Sequence, residues 1–183
     1  RAGPDTACRN YTCSAPRRVP TAGPHGIHSR TMGCRVIYRA HVTVGPFRLN
    51  TRYDAELRVA ARFQEVLACI RRRVLHCRGA NELEAVFAEA VLQEPRAHGL
   101  DAGRDMGLCF TASVGAACWV GQALATPRFP VTSLAVGLSA WRRLSDARGF
   151  TYGWHESWRR VMASHSHEDL RQAWAPLRRA HAD

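Results

Sequence analysis

The sequence predicts a mainly α protein, in which an extended N-terminal arm and a short β-hairpin precede a five- or six-helix body. Three patterns carry that expectation. Residues 1–33 show neither a period of 2 nor one of 3.6, Cys34 to Val44 alternates strictly, and from Asp54 onward apolar residues return every three or four positions. The units are therefore an arm at 1–33, a hairpin at 34–53 and a helical body at 54–183. A chain of 183 residues that is 46% hydrophobic and 22% charged is too apolar for a disordered chain and has length for one core.

The arm is broken by Pro4, Pro16, Pro20 and Pro24, and by Gly3, Gly23, Gly26 and Gly33. Next, Val36, Tyr38, Ala40, Val42 and Val44 share one face of a strand. Arg35, Ile37, Arg39, His41 and Thr43 share the other. Gly45-Pro46 makes a turn, and Phe47 to Tyr53 pairs back. Asp54 is placed to cap a helix built on Leu57, Val59, Ala60, Phe63, Val66, Leu67, Ile70 and Val74. Arg71, Arg72, Arg73 and Arg78 stand at the end that favours cations, and Gly79 stops it. Asn81 with Glu84 resembles a capping box for a second helix through Leu83, Val86, Phe87, Ala90 and Val91, ended by Pro95. Together they form an αα-hairpin.

Residues 106–127 carry no charge and are long enough to cross a bilayer. Gln122 and the glycines Gly107, Gly115 and Gly121 weaken that reading and favour a buried core helix. A membrane-embedded helix is the alternative. Further helices run from Val131 to Leu144, from Trp154 to Met162, and from Ser166 through Leu170, Ala173, Trp174 and Leu177, with Pro176 as a kink.

The net charge is +11 at a pI near 10.3, and all 26 cations are arginine. The missing lysine, with the scarcity of Ile and Asn, is the mark of a GC-rich gene. Its consequence is chemical. Guanidinium forks hold phosphate or carboxylate at two points and stack on rings, whereas Schiff-base, P-loop and kinase chemistries need a lysine this chain lacks. Nine arginines (Arg1, Arg9, Arg17, Arg18, Arg30, Arg35, Arg39, Arg48, Arg52) face one acid, Asp5, in residues 1–53, so the front is the cationic part. An Arg-rich, acid-poor start also suits an organelle transit segment, which makes a mitochondrial or other organellar setting the expectation.

Two constellations could carry chemistry. Trp141-Arg142-Arg143 and Trp158-Arg159-Arg160 set aromatics beside guanidinium groups, as single-stranded RNA recognition uses them. An amphipathic helix that buries its Trp gives the same pattern without a ligand. Cys8, Cys13, His28 and Cys34, with His25 between, offer a loosely spaced zinc set; free thiols or an arm disulfide are the alternatives. Asn10-Tyr11-Thr12 matches a glycosylation sequon by chance in this reading. Cys69, Cys77, Cys109 and Cys118 read as small buried hydrophobes. His155, His165 and His167 lack the i, i+4 spacing of helical metal pairs, and no nucleophile elbow or paired carboxylates stand out.

The expected function is a non-catalytic accessory subunit of a larger protein assembly, docking through the cationic arm and close helix packing. The alternative is an RNA-binding protein or ribonucleoprotein subunit, with zinc as its one candidate cofactor. The partner-facing or RNA-facing candidates are Arg9, Arg17, Arg18, Arg30, Arg35, Arg142, Arg143, Arg159 and Arg160, with 106–127 as the segment for any membrane contact.

Overall fold

A computed structural model describes residues 26–76, 80–148 and 166–182. It overturns the all-helical body. Six antiparallel strands form a sheet curled into a half-barrel, and the four long helices among the described residues pack against it and one another. The strands are β1 (Ile27–Met32), β2 (Arg35–Val44), β3 (Phe47–Asn50), β4 (Cys109–Val114), β5 (Leu124–Ala125) and β6 (Phe129–Pro130). The helices are α1 (Leu57–Leu75), α2 (Ala80–Ala97), a single turn α3 (Ala117–Val120), α4 (Leu134–Arg148) and α5 (His167–Ala182).

The sheet order is β1-β2-β3-β4, with β6 and β5 both paired to β4. Residues 27–32, expected within an unstructured arm, form the edge strand. The stretch expected as an uncharged core or membrane helix supplies β4 instead, and among the described residues no helix is long and apolar enough to cross a membrane. The reason is local. In β4 the buried residues Phe110, Ala112 and Val114 alternate with half-buried Cys109, Thr111 and Ser113, a period of 2 whose polar members happen to be uncharged.

Helices cover one face of the sheet. Toward them point Ala40, Val42, Val44, Phe47, Leu49, Phe110, Ala112 and Val114, all buried. α1 lies on β2 through Phe63, Val66, Leu67 and Ile70, the stripe its periodicity announced. α2 inserts Phe87, which stacks on Phe47 at 4.0 Å and meets Phe110 edge-on at 5.7 Å. α4 adds Trp141, edge-on to Phe47 at 5.0 Å. α5 packs on α4, and Trp174 stacks on Trp119 of α3 at 5.8 Å while Trp119 Nε1 donates to the Leu170 carbonyl at 2.6 Å.

Helix ends differ in detail from expectation. Glu56, not Asp54, is the residue before α1; the Asp54 carboxylate instead accepts the Glu56 N–H at 3.0 Å. α2 runs through Pro95 to Ala97. Ser166 and Asp169 cap α5 reciprocally: the Asp169 N–H donates to Ser166 Oγ, and the Ser166 N–H to Asp169 Oδ2, each at 3.1 Å. The expected helix at 154–162 lies outside the described residues.

Where strands lose their partners, two buried threonines replace them. Thr51 Oγ1 accepts the Ala40 N–H at 3.1 Å and Thr126 Oγ1 accepts the Ala112 N–H at 3.0 Å. Between the pairs His41–Asn50 and Tyr38–Asp54 the strand leaving β3 carries one residue more than β2, a bulge that turns the chain at Arg52 and Tyr53.

Gly137 of α4 sets how closely that helix approaches the sheet. A Cβ there would lie 2.5 Å from the Phe110 ring and 2.8 Å from Phe129. Alanine improves helix propensity by about 1 kcal/mol, but here the overlap falls on packed rings, and overpacking costs about 1–3 kcal/mol. Gly137→Ala should lower the midpoint of chemical unfolding; an unchanged or raised midpoint would show that α4 shifts outward freely.

Candidate functional site

The face of the sheet turned away from the helices is basic. Residues directly opposite in antiparallel strands share a face, so the register assembles this surface row by row. His28 faces Arg39, Arg30 faces Ile37, His41 faces Asn50, Asn50 faces Cys109, and Arg48 stands between Thr43 and Thr111. None of the six strands contains an aspartate or a glutamate, whereas β1, β2 and β3 supply Arg30, Arg35, Arg39 and Arg48 with His28 and His41.

The centre of this face is Arg39. Its guanidinium carbon lies 4.8 Å from the centroid of the Tyr53 ring, which the bulge has brought alongside, and Tyr53 meets His28 edge-on at 6.4 Å. The Arg39 Nε and His41 Nδ1 atoms are both buried and have no hydrogen-bond partner. Leaving a polar atom in that condition costs about 1–3 kcal/mol. Arg39 can also lose nothing to neutralisation, because a guanidinium keeps its charge.

His41 responds differently. Burial lowers its pKa from 6.5, and the nearby cations Arg48, Arg39 and His28 lower it further. It is held from behind: its N–H donates to the Gly26 carbonyl at 2.7 Å, and the Gln64 amide of α1 donates to the carbonyls of Gly26 (3.0 Å) and His41 (3.3 Å). Gly26 has φ +97°, and a Cβ there would run into the Gln64 amide. Cys109 extends the face at β4. Burial raises its pKa, opposed by Arg128 and Arg39, and its Sγ donates to the Asn50 carbonyl at 3.4 Å. A protonated, hydrogen-bonded thiol is a poor nucleophile.

Of the arginines singled out in the sequence, Arg30 lies on this face and Arg35 at the exposed tip of the β1–β2 hairpin. Arg142 does not join them: its Nε donates to Glu84 of α2 at 2.8 Å, and its neighbour Trp141 is buried in the core. Arg143 is exposed on α4. Arg9, Arg17, Arg18, Arg159 and Arg160 lie outside the described residues. For the zinc set, Cys8 and Cys13 lie outside them too, as do His25 and the Asn10 sequon. His28 and Cys34 sit at opposite ends of β1, and four strand steps at about 3.3 Å each separate His28 from Met32 alone. Among the described residues no group of three potential metal ligands is found. Cys34, Cys69 and Cys109 are free thiols, Cys34 exposed and the other two half-buried; Cys77 and the Cys118 side chain are not described. Of the histidine cluster, His155 and His165 lie outside the described residues, and His167 opens α5.

Arg39, Arg48, His41, Tyr53 and Arg128 were not among the site residues named from sequence. A signal existed for three of them. The alternation that put Val42 inward put Arg39 and His41 outward together, and Arg48 followed the same rule across the turn. Tyr53 depends on the bulge, which no local pattern announces.

No protein-family model matches this chain, and comparison with curated proteins and with solved structures likewise finds no match.

The lowered pKa of His41 has a stability consequence. The unfolded chain takes up a proton near pH 6.5 and the folded imidazole only at lower pH, so folding stability falls as the pH drops through 6.5. His41→Gln removes that component. Urea titrations at pH 7.5 and 5.5 should show a smaller acid loss for the variant; parallel losses would mean that His41 is free to charge in the folded state.

Proposed function

We propose that this protein is a non-catalytic nucleic-acid-binding subunit that lays a single strand across the open face of its sheet. The observation carrying the proposal is the complete absence of carboxylates from the strands, together with four arginines and two histidines among them. Elsewhere in the described chain cations are commonly paired: Arg73 with Glu89 and Glu94, Arg142 with Glu84, Arg171 with Glu168. Among the described residues no ion pair joins a sheet arginine to a carboxylate, and Arg39 lies over the Tyr53 ring instead.

Phosphate oxygens fit this environment. Each neutralised phosphate releases condensed counterions, a gain that a lone surface ion pair does not offer. Tyr53, already stacked under Arg39, offers a ring edge for an unpaired base. The surface is sequence-neutral in character, since it pairs backbone contacts with stacking and few base-edge readers. Membership of a larger assembly is compatible with this role, the nucleic acid being the partner this face suits.

Binding of a fluorescent single-stranded RNA, titrated against salt, tests the proposal. Arg30→Ala, Arg39→Ala and Arg48→Ala combined should make the slope of log K on log salt shallower by about 2, since each single-strand phosphate contact contributes about 0.7. Arg142→Ala should leave the slope unchanged, because that side chain serves Glu84. An unchanged slope in the sheet variant, or a loss with Arg142→Ala alone, would move the interface off the sheet.

A further inference from the structure

A second arginine cluster lies apart from the sheet face, in a cleft of about 640 Å³ between the start of α1 and the loop that follows α2. Its walls are Arg52 from the bulge, Arg58 and Arg62 from α1, and Arg104 with Asp105 from the loop; Val59, Phe63 and Leu100 form an apolar floor. We infer that this cleft is a binding site for a small organic phosphate, a phosphate ester with an apolar body, independent of nucleic-acid binding by the sheet.

The cations are held in a way that leaves their forks open. Arg58 and Arg104 are bound through Nε alone, to Glu56 and Asp105. Arg52 uses one Nη toward Asp54 at 3.3 Å, and Arg62 uses one Nη toward the His98 carbonyl at 2.9 Å. Among the described contacts, both terminal nitrogens of Arg58 and Arg104 are left for a ligand. Such edge-on, exposed pairs are weak in water and yield readily to a bidentate anion. Arg58 and Arg62 also stand one helical turn apart, a like-charge arrangement that an anion between them relieves.

Asp105, the one carboxylate among the described lining residues, is already engaged. Asp105 accepts the Asp101 N–H at 2.8 Å and the Arg104 Nε at 3.1 Å, while Asp101 accepts the Arg104 N–H at 2.6 Å. Backbone bonds from Gly107 to Gly103 (3.0 Å), Leu108 to Ala102 (2.8 Å) and Arg52 to Met106 (2.8 Å) fix the loop to the bulge. Arg104 therefore sits on a loop tied at both ends, opposite α1. The volume lies within the roughly 300–1,000 Å³ of small-molecule sites, and the floor favours an ester over the bare ion.

Phenyl phosphate is the probe, with inorganic phosphate and benzoate as comparators, titrated calorimetrically into the full chain. One equivalent of phenyl phosphate should bind more tightly than either comparator. Arg62→Ala with Arg104→Ala should weaken it about tenfold, equivalent to about 1.4 kcal/mol, while the sheet variant binds as wild type does. Absence of saturation through the millimolar range, equal binding of a comparator, or equal loss in the sheet variant would overturn the inference. A second measurement needs no substitution: phenyl phosphate should slow phenylglyoxal modification of Arg58 and Arg104 and leave exposed Arg71 unaffected. Equal rates at all three would overturn it equally.

Discussion

Packing of the described helices against one side of the sheet is the constraint from which the rest of the molecule follows. Phe47, Phe87, Phe110 and Trp141 interlock at centroid separations of 4.0 to 6.5 Å, and they join β3, β4, α2 and α4 into one core. Because side chains alternate along a strand, every residue that joins this cluster sends its neighbour outward. Among the described residues helices lie on the inner side alone, so those neighbours gather on the opposite side of the sheet. The arginines of the open face are thus positioned by the aromatics behind them, and the depth of α4 against the sheet is set by the missing side chain at Gly137.

The two arginine clusters differ in how their charge is managed. On the sheet, cations lie together without carboxylates; burial lowers the pKa of His41, these cations lower it further, and two buried nitrogens are left without a hydrogen-bond partner. In the cleft each cation has an oxygen partner: Arg58 and Arg104 are held through Nε, Arg52 and Arg62 through one terminal nitrogen each. The first arrangement suits an extended polyanion, whose charge is distributed over many contacts. The second suits one compact anion. Arginine serves both because its planar fork can be anchored by one edge and used by another, which an ammonium group cannot do.

The parts of the fold legible in the sequence are those whose burial is strongly periodic. The α1 stripe from Ala60 through Val74 and the turn at Gly45-Pro46 were readable, since each depends on neighbours within a few residues. β1 was not: an edge strand buries little, and Ile27, His28 and Ser29 sit among glycine and proline signals. β4 was misread for the opposite reason. Its outward residues Cys109, Thr111 and Ser113 are polar without charge, so mean apolarity over 22 residues concealed a six-residue alternation. Of the site, Arg30 could be named, but the convergence of Arg39, His41 and Tyr53 required the register of three strands and a bulge, information that no single segment contains. The Trp141-Arg142-Arg143 motif shows the converse, since its aromatic went to the core and its first arginine to Glu84.

The edge position of β1 has a consequence for the protein's behaviour in solution. Its pairing with β2 satisfies one side of the strand, and among the described residues no strand pairs with the other. An unpaired edge is a template on which a second chain can add, and proteins commonly discourage this with short strands and charged side chains. β1 is six residues long and carries Arg30 at its middle, facing Ile37. A guanidinium in the middle of a short edge strand is the kind of charge that discourages two copies of a sheet from zipping together. An anion bound there would lift that repulsion, and self-association of the sheet would then begin at this edge.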